Sequence, residues 1–312
     1  MQQIPSLNIQ DFSTHRERFV KELGNGYREF GFVAITGHSV PDGLIGETTQ
    51  SIKDFFDLSP DKKMAYHIKD IGGARGYTPF GVEVAKDSDY PDLKEFWQVG
   101  RELSKTDPNY SKMLLNIWPD EIKSFKANCL ELYKELDQLG SLILSALALY
   151  LNLSEDYFSD KTNLGNSILR AIHYPPVKNA GNSVRSGQHE DINLITLLVG
   201  SEQPGLEILT RQNRWIPVTS IKGSIVVNIG DMLQRLTNHF FPSTTHRVIN
   251  PSGDWASKAR YSIPFFLHFN SDFLIKTLDS CVTDSTPDRY PKPILADDYL
   301  RERLIEIGLL KN

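Results

Sequence analysis

One short segment of the chain, Gln188-His189-Glu190-Asp191, carries residues that could bind a metal. Residues two apart in an extended chain point to the same side, so His189 and Asp191 can reach one ion while Glu190 points away. Two imidazole nitrogens and one carboxylate oxygen form the facial set that suits non-haem iron(II), and they leave positions open for a co-substrate and O2. His246, on a later predicted strand, is the natural third ligand. Taken alone, the His-x-Asp triplet is more often a surface pair than a pair of ligands.

A second polar pair, Arg260 and Ser262, begins a strongly apolar predicted strand that follows His246. The two side chains share one face of that strand. A buried guanidinium needs a carboxylate partner, because an unpaired buried charge is costly. A dicarboxylate co-substrate bound there at one end could chelate the metal with its other end. On these residues alone, an ion pair of Arg260 with an Asp or Glu of the protein is the favoured alternative.

The second half of the chain predicts a β-rich core around these residues. After about residue 166, short β-branched or aromatic runs alternate with Gly, Pro, Asn and Asp, which is typical of a sandwich or jelly roll. The runs are SILRAIHY, INLITLLVG, LEILT, RWIPV, SIVVNIG, THRVI and RYSIPFFLHF. The segment PSGDWASKA, between His246 and Arg260, predicts an extended hairpin loop.

The first half mixes helices and strands. Apolar spacing predicts helices over 14–29, 41–57 and about 118–151, with Thr14 as the first N-cap. Ser59 and Pro60 predict the start of a short helix, residues 32–36 and 94–102 predict strands, and PILADDYLRERLIEIGLL predicts a closing helix. We predict an α+β fold with a mainly β core and flanking helices. It forms a single domain over 1–312, with a mixed N-terminal part (1–115), a core helix region (116–165), a β core with the iron site (166–270) and a helical tail (271–312).

The net charge, the cysteines and the apolar runs argue against several classes of protein. The net charge of -5 argues against a broad basic surface for nucleic acid or anionic lipid. Cys129 and Cys281 lack C-x-x-C spacing, so neither a zinc knuckle nor a disulfide framework is predicted. The sequence begins without an apolar leader, and the longest apolar run, near 141–153, is too short to span a bilayer. We expect a cytoplasmic protein without nucleic-acid or membrane partners, either a monomer or a weak dimer.

Further segments follow one another in a specific order. They are Ile4-Pro5, GFVAITGH at 31–38, FFDLS at 55–59 with Lys63, Arg75-Gly76-Tyr77, Asp92-Leu93-Lys94-Glu95, Asn116-Ile117-Trp118-Pro119, His173-Tyr174-Pro175-Pro176, Pro204-Gly205-Leu206-Glu207, Trp215, VNIGD at 227–231, Thr237-Asn238 and His246-Arg247-Val248. Together with His189-x-Asp191 and Arg260-x-Ser262, this series resembles the isopenicillin N synthase-like family of 2-oxoglutarate- and iron(II)-dependent oxygenases. The resemblance covers nearly the whole chain.

The resemblance implies a fold, a ligand set and a reaction. The fold is a distorted double-stranded β-helix, or jelly roll. Iron(II) would bind to His189, Asp191 and His246, and the distal carboxylate of 2-oxoglutarate to Arg260 and Ser262, with Tyr174 touching the same co-substrate. The VNIGD segment would be a structural turn. With O2, such an enzyme oxidises an unactivated C–H of a small molecule by hydroxylation, desaturation or cyclisation, and releases succinate and CO2.

Three alternatives remain open at this stage. The nearest is an oxidase of the same fold that needs no 2-oxoglutarate, as in isopenicillin N synthase and the amino-cyclopropane carboxylate oxidases. A non-catalytic jelly-roll binding module is the second, although three intact ligands and an anion anchor argue against it. A zinc hydrolase is the third, but the sequence has no H-E-x-x-H and no obvious general base.

For the primary substrate, the sequence offers a set of candidate pocket residues. The family's pocket uses the N-terminal third of the chain and the strand after Ser262. Aromatic and Arg residues together would suit an amino acid, a peptide-like or another acidic small molecule. The candidates are Arg75, Tyr77, Phe80, Glu83, Trp97, Arg101, Asn193, Phe265 and His268. For Asn193, hydrogen bonding to the local backbone is an equal alternative.

Overall fold

The structure of the chain, a computed structural model, describes residues 3–84, 89–177, 180–200, 203–219 and 221–306. Among these residues, no helix is both long and apolar enough to cross a membrane. The helices are α1 (Asp11–Thr14), α2 (Arg16–Phe30), α3 (Asp42–Phe56), α4 (Pro60–Met64), α5 (Phe125–Tyr150), α6 (Ser159–Thr162), α7 (Asp231–Leu236) and α8 (Ala296–Glu306).

The strands form a sheet-rich core. They are β1 (Ser6–Asn8), β2 (Phe32–Thr36), β3 (Gly76–Thr78), β4 (Glu95–Gly100), β5 (Ile168–Tyr174), β6 (Ser186–His189), β7 (Ile195–Val199), β8 (Leu206–Leu209), β9 (Trp215–Pro217), β10 (Ile225–Ile229), β11 (His246–Val248), β12 (Arg260–Leu267), β13 (Leu274–Ile275) and β14 (Ile294–Leu295).

Two sheets position the residues singled out above. The larger has eight strands in the order β1-β2-β10-β7-β12-β5-β4-β3, and the smaller has four in the order β6-β11-β8-β9. Strands β13 and β14 form a separate pair. The smaller sheet carries His189 and His246, whereas the larger sheet carries Arg260, Ser262 and Tyr174.

Helix α5 packs behind the larger sheet. Its apolar residues recur at helical spacing and are fully or nearly fully buried, including Leu132, Leu136, Ile143 and Leu147. Gly140 faces β12 so closely that an added Cβ would lie 2.5 Å from the Leu267 side chain. A larger residue there would push the helix off the strand, so this glycine lets α5 cover the core.

Most predicted elements agree with the structure in type, and several boundaries differ. The predicted helical tail is an exception, because Leu274–Ile275 and Ile294–Leu295 pair as strands and the helix begins only at Ala296. The long helix begins at Phe125 rather than 118, because 119–124 form turns and coil. Thr14 is wrong as the N-cap, since it ends the short helix α1 and His15 precedes α2. Ser59 and Pro60 do occupy the N-cap and first position of α4, although Ser59 makes no side-chain capping bond. The prediction of a hairpin loop before Arg260 is wrong, because the strands on its two sides, β11 and β12, belong to different sheets. The segment crosses between the sheets and contains a 3-10 turn at Gly253–Ser257.

Candidate metal centre and cavity

Strand pairing brings the three predicted metal ligands together. Strands β6 and β11 are antiparallel, and His246 lies directly opposite His189. The Nε2 atoms of His189 and His246 lie 3.8 and 3.7 Å from Oδ1 of Asp191. Each of the three residues offers one ligand atom within 4.8 Å of the others, and among the described residues no other group of at least three His, Cys, Asp or Glu does so. The rings of His189 and His246 are 4.3 Å apart between centroids.

Backbone carbonyls fix the orientation of both imidazoles. Nδ1–H of His189 donates to the carbonyl of Gly187 at 2.8 Å, and Nδ1–H of His246 donates to that of Thr244 at 3.1 Å. A carbonyl only accepts, so each ring carries a proton on Nδ1, and in the neutral form of the ring Nε2 is then the atom that can bind a metal. Burial, and next the neighbouring His246, lower the pKa of His189, which keeps that ring neutral.

The carboxylate of Asp191 is held by groups that the sequence reading did not assign to the site. Its Oδ2 accepts hydrogen bonds from Thr196 Oγ1 at 2.5 Å and Asn228 Nδ2 at 2.8 Å, which leaves Oδ1 facing the histidines. Its backbone carbonyl accepts the N–H of Asp231 at 2.7 Å. Burial alone would raise the pKa of Asp191. The two imidazoles and the two hydrogen bonds outweigh burial and keep the pKa below its ordinary value.

These donors fit iron(II). Two neutral imidazole Nε2 atoms and one ionised carboxylate oxygen converge from one side, which is the 2-His-1-carboxylate facial set. Each ligand is also oriented by a hydrogen bond of its own, as metal ligands in proteins usually are. The described part of the chain therefore contains a prepared site for the metal.

The predicted co-substrate anchor is buried on the larger sheet. Arg260 pairs with Tyr174 across β12 and β5, and Arg260, Ser262 and Tyr174 are each at most 5% exposed. Nη1 of Arg260 donates to the carbonyls of Gln203 and Pro204, and Nε has no hydrogen-bond partner among the residues that the structure describes. Among the described residues no carboxylate pairs with this guanidinium, so the alternative of an internal ion pair has no support there.

A second buried arginine, Arg185, lies beside the first and was not singled out in the sequence. Its side chain is fully buried, and it donates to Oε1 of Gln203 at 3.3 Å and to the carbonyl of Lys258 at 3.0 Å. Its guanidinium carbon is 5.9 Å from the centroid of the Tyr174 ring. Burial, and next the charge of Arg260, lower the pKa of Arg185 to about 10. Two guanidinium groups thus share one region without a described counter-charge.

A cavity of about 520 Å³ opens beside the metal ligands. His189 and Asp191 line it. Of the nine candidate substrate residues, the structure brings four to its wall: Arg75, Glu83, Asn193 and His268. Asn193 also donates through Nδ2 to the carbonyl of Ile195 at 2.6 Å and to Thr196 at 3.1 Å, so it makes the local bonds considered as its alternative.

The other five candidates do not line the cavity. Trp97 and Phe265 are fully buried in the main core, and Tyr77 donates its hydroxyl to Glu95 at 2.5 Å. Arg101 pairs with Asp107 at 2.8 Å, and Phe80 is 48% exposed. Successive strand residues face opposite sides, so it is Gln98 and Phe266, the next residues along, that reach the cavity.

Several cavity residues carry charge and were missed. Lys94 pairs with Glu83 at 2.6 Å and with Asp92 at 2.9 Å, and Arg170 pairs with Glu83 at 3.3 Å. Membership of the Asp92-Leu93-Lys94-Glu95 segment was the only sequence signal for Lys94. Arg303 of helix α8 was also missed. It pairs with Asp231 at 3.2 Å, and its neighbours Leu300 and Leu304 line the cavity as well.

Two family models match the chain, one in its N-terminal part and one in its C-terminal part. The model described as the 2OG-Fe(II) oxygenase superfamily matches residues 165–269. The model described as non-haem dioxygenase in morphine synthesis N-terminal matches residues 4–121. The chain therefore belongs to the 2OG-Fe(II) oxygenase superfamily, as its resemblance implied.

Individual relatives agree with this membership. The 2-oxoglutarate-Fe(II) type oxidoreductase hxnY of Emericella nidulans is 32% identical over 92% of this chain and 84% of its own length. A 2OG-Fe(II) oxygenase family protein from Caulobacter crescentus has a structure with a TM-score of 0.92 and 45% identity, covering 99% of this chain and all (100%) of that one. A Neurospora crassa protein, solved in complex with alpha-KG and thymine, has a TM-score of 0.86 and 27% identity over 97% of this chain and 96% of that one.

The class of protein follows from the family and the site together. The chain is an oxidoreductase, a non-haem dioxygenase whose cofactors are iron(II), 2-oxoglutarate and O2, and it oxidises a small molecule. The binding-module and zinc-hydrolase alternatives are set aside.

Proposed function

We propose that His189, Asp191 and His246 bind iron(II), and that Arg260, Ser262 and Tyr174 bind the distal carboxylate of 2-oxoglutarate. Iron bound there would couple the oxidative decarboxylation of 2-oxoglutarate to succinate and CO2 with oxidation of a C–H bond by O2. The substrate is a small molecule held in the cavity beside the ligands, and its oxidation is hydroxylation, desaturation or cyclisation. The buried Arg260 guanidinium, with carbonyl oxygens as its described partners, is the observation that carries the proposal.

The protein residues divide the work of binding and orientation. The Nδ1–H bonds of the two histidines hold both Nε2 atoms toward one point. Arg260 offers a bidentate fork to a carboxylate, and Ser262, on the same face of β12, adds a hydroxyl donor. Burial raises the pKa of Tyr174, so its phenol stays protonated and can donate to the same anion. The chelating keto-acid end of 2-oxoglutarate would then point toward the iron.

The test compares two arginines on different strands. Arg260→Met removes the anchor, and the KM for 2-oxoglutarate should rise on the order of 30-fold or more, as for a truncated buried charge pair. Arg247→Met is the matched control, because Arg247 already pairs with Glu207 at 2.8 Å and stacks on Trp215. Its KM for 2-oxoglutarate should match that of the wild type. Succinate release and O2 uptake are the measurements.

Two outcomes would contradict the proposal. Consumption of O2 and substrate without succinate would point to the oxidase that needs no 2-oxoglutarate. An unchanged KM in Arg260→Met would place the co-substrate elsewhere.

We also infer the finer architecture. The eight-stranded and four-stranded sheets are taken as the two halves of a distorted double-stranded β-helix, flanked by helices. Residues 1–312 are taken as one domain, since β3 and β4 of the N-terminal part extend the sheet that contains β5. A cytoplasmic location without nucleic-acid or membrane partners is inferred from the two free cysteines and the net charge of -5.

A further inference from the structure

Most charged residues on the described cavity wall are in ion pairs. The exceptions are Glu190, which accepts a hydrogen bond from Thr245 Oγ1 at 2.9 Å, and Arg75. Lys94 and Arg170 are matched by Glu83 and Asp92. Arg303 is matched by Asp231 at 3.2 Å. In the described part of the chain, these pairs leave Arg75 as a cavity-lining arginine without a carboxylate partner.

The guanidinium of Arg75 is buried and firmly placed. Only 2% of the residue is exposed. Nε donates to the carbonyl of Leu114 at 3.2 Å, Nη1 to that of Ala74 at 2.7 Å, and Nη2 to Oδ1 of Asn166 at 3.2 Å. A guanidinium has five N–H donors, so these neutral acceptors leave donors on both Nη atoms. Burial lowers the pKa of Arg75 to about 10, so the group is still charged at neutral pH.

A glycine makes room for this arginine. A Cβ at Gly100 would lie 2.0 Å from the guanidinium carbon, so an alanine there would displace the Arg75 head group. The guanidinium therefore packs on bare backbone at the end of β4. This packing fixes the guanidinium group in one orientation, which favours recognition of a planar carboxylate.

Arg75 and Arg260 lie toward opposite ends of strand β5. Arg260 is opposite Tyr174, the last residue of that strand, while Asn166, the partner of Arg75, lies just before its first residue, Ile168. A strand of seven residues spans about 20 Å. Arg75 and Arg260 are thus too far apart to bind one small carboxylate, and each can bind its own anion.

The wall near Arg75 offers an apolar surface and one neutral acceptor. Ile168 and Phe266 line the cavity there. Nδ1–H of His268 donates to the carbonyl of Phe266 at 3.0 Å, and burial lowers the pKa of His268 to about 4. The ring is therefore neutral, and its Nε2 can only accept a hydrogen bond.

We propose that the primary substrate is a small monocarboxylic acid whose carboxylate binds Arg75. Its largely apolar body packs on Ile168 and Phe266 and carries an N–H or O–H group that donates to His268. The carbon that is oxidised lies at the end remote from the carboxylate. This assignment rests on the proposed function, because it presumes that Arg260 is occupied by 2-oxoglutarate.

The experiment pairs each acid with its neutral counterpart. Anaerobic protein loaded with iron(II) and 2-oxoglutarate is titrated with monocarboxylates of about four to twelve carbons, among them hexanoate, cyclohexanecarboxylate and benzoate, and with their primary carboxamides. Binding is read from the melting temperature and from the visible band of the iron–2-oxoglutarate complex. At least one acid should bind with a Kd about 10- to 100-fold below that of its amide, the scale of a buried charge pair.

Variants of Arg75 and its partner decide the assignment. Arg75→Gln should abolish the preference for acid over amide, and Arg75→Lys should retain part of it. Asn166→Asp keeps the guanidinium but gives it a counter-charge, so it should lose the preference even if Arg75→Gln folds poorly. Arg101→Gln is the matched control, because Arg101 pairs with Asp107 and does not line the cavity. It should behave as the wild type.

The result that would overturn the inference is distinct from failure of the proposed function. If no acid in the panel outbinds its amide, or if the preference survives both Arg75→Gln and Asn166→Asp, Arg75 only supports the structure. If the iron–2-oxoglutarate band is missing before any acid is added, the proposed function itself fails.

Discussion

Main-chain carbonyls and neutral hydrogen-bond donors hold the metal ligands, whereas ion pairs between side chains distant in sequence hold another part of the cavity wall. His189 and His246 face each other across paired strands, and main-chain carbonyls orient both rings. The wall instead depends on Lys94, which joins Glu83 and Asp92, and on Arg170. The first arrangement tolerates change elsewhere in the chain, while the second can be altered by replacing one charged residue. We expect chemistry to be set at the ligands and selectivity at the wall.

The largest expected effect comes from removing a ligand. His246→Ala and His189→Ala should each abolish iron binding and 2-oxoglutarate turnover, because two donors no longer define a facial site. Iron content by elemental analysis and succinate release are the measurements. Circular dichroism would establish that the variants are folded. Full iron content in either variant would mean that the assigned residue is not a ligand.

A smaller effect is expected from replacing Asn228, which donates a hydrogen bond to the metal ligand Asp191. Asn228→Ala removes the 2.8 Å hydrogen bond to Asp191 and should weaken iron affinity about 10- to 100-fold. Competition with a chelator measures it, and excess iron should restore turnover. If affinity is unchanged, the hydrogen bond from Thr196 and the backbone are enough to hold the carboxylate.

Replacing a wall carboxylate should lower stability rather than iron binding. Glu83→Gln leaves Arg170 without its described carboxylate and should cost about 3–5 kcal/mol of unfolding free energy. Iron content should stay at the wild-type level. Glu131→Gln, in the exposed pair with Lys134, is the control and should leave the melting temperature unchanged. Loss of iron in Glu83→Gln would show that the two regions are not independent.

The pH dependence of the unfolding free energy is a second way to test the ion pairs of Glu83. Burial raises the pKa of Glu83, but Lys94 and then Arg170 outweigh it, so the folded pKa is depressed. Its stabilisation is present above the unfolded pKa of about 4.3 and is lost as the pH falls through the folded pKa. Denaturant unfolding should therefore show a steeper loss of stability below about pH 4 in the wild type than in Glu83→Gln. Parallel curves would contradict the pairing.

The smallest effect is expected for Phe80, a candidate substrate residue that does not line the cavity in the structure. Phe80 is 48% exposed and does not line the cavity, so Phe80→Ser should change stability by less than about 0.5 kcal/mol. Substrate selectivity should not change. A change in selectivity would mean that the wall extends beyond the residues assigned to it.

The metal ligands could be predicted from the sequence because their signal is local. Two side chains two residues apart in extended chain point to the same side, although in the structure β6 ends at His189 and Asp191 follows it. The ordered motifs identified the family. Asn228 was read as part of a structural turn, because nothing in the sequence shows that its amide reaches Asp191 from another strand.

The residues of the cavity wall were harder to predict. Polar and apolar residues do not alternate along the strand, so the sequence does not indicate which face of the strand points to the cavity. All six residues of β4 are buried. Glu95 lies on the face away from the cavity and binds Lys63 at 2.8 Å and His173 at 2.7 Å, while Gln98 lies on the cavity face. Polar residues on both faces hide the alternation, so Trp97 and Phe265 were chosen one position away from Gln98 and Phe266.

Helix α8 has a practical consequence for experiments on this enzyme. Its Leu300 and Leu304 line the cavity, and its Arg303 reaches Asp231, whose backbone N–H bonds the Asp191 carbonyl. A fluorescent or spin label on the outer side of this helix is expected to report when the cavity fills. The same position suits immobilisation poorly, because a surface tether through α8 would restrict the helix beside the cavity.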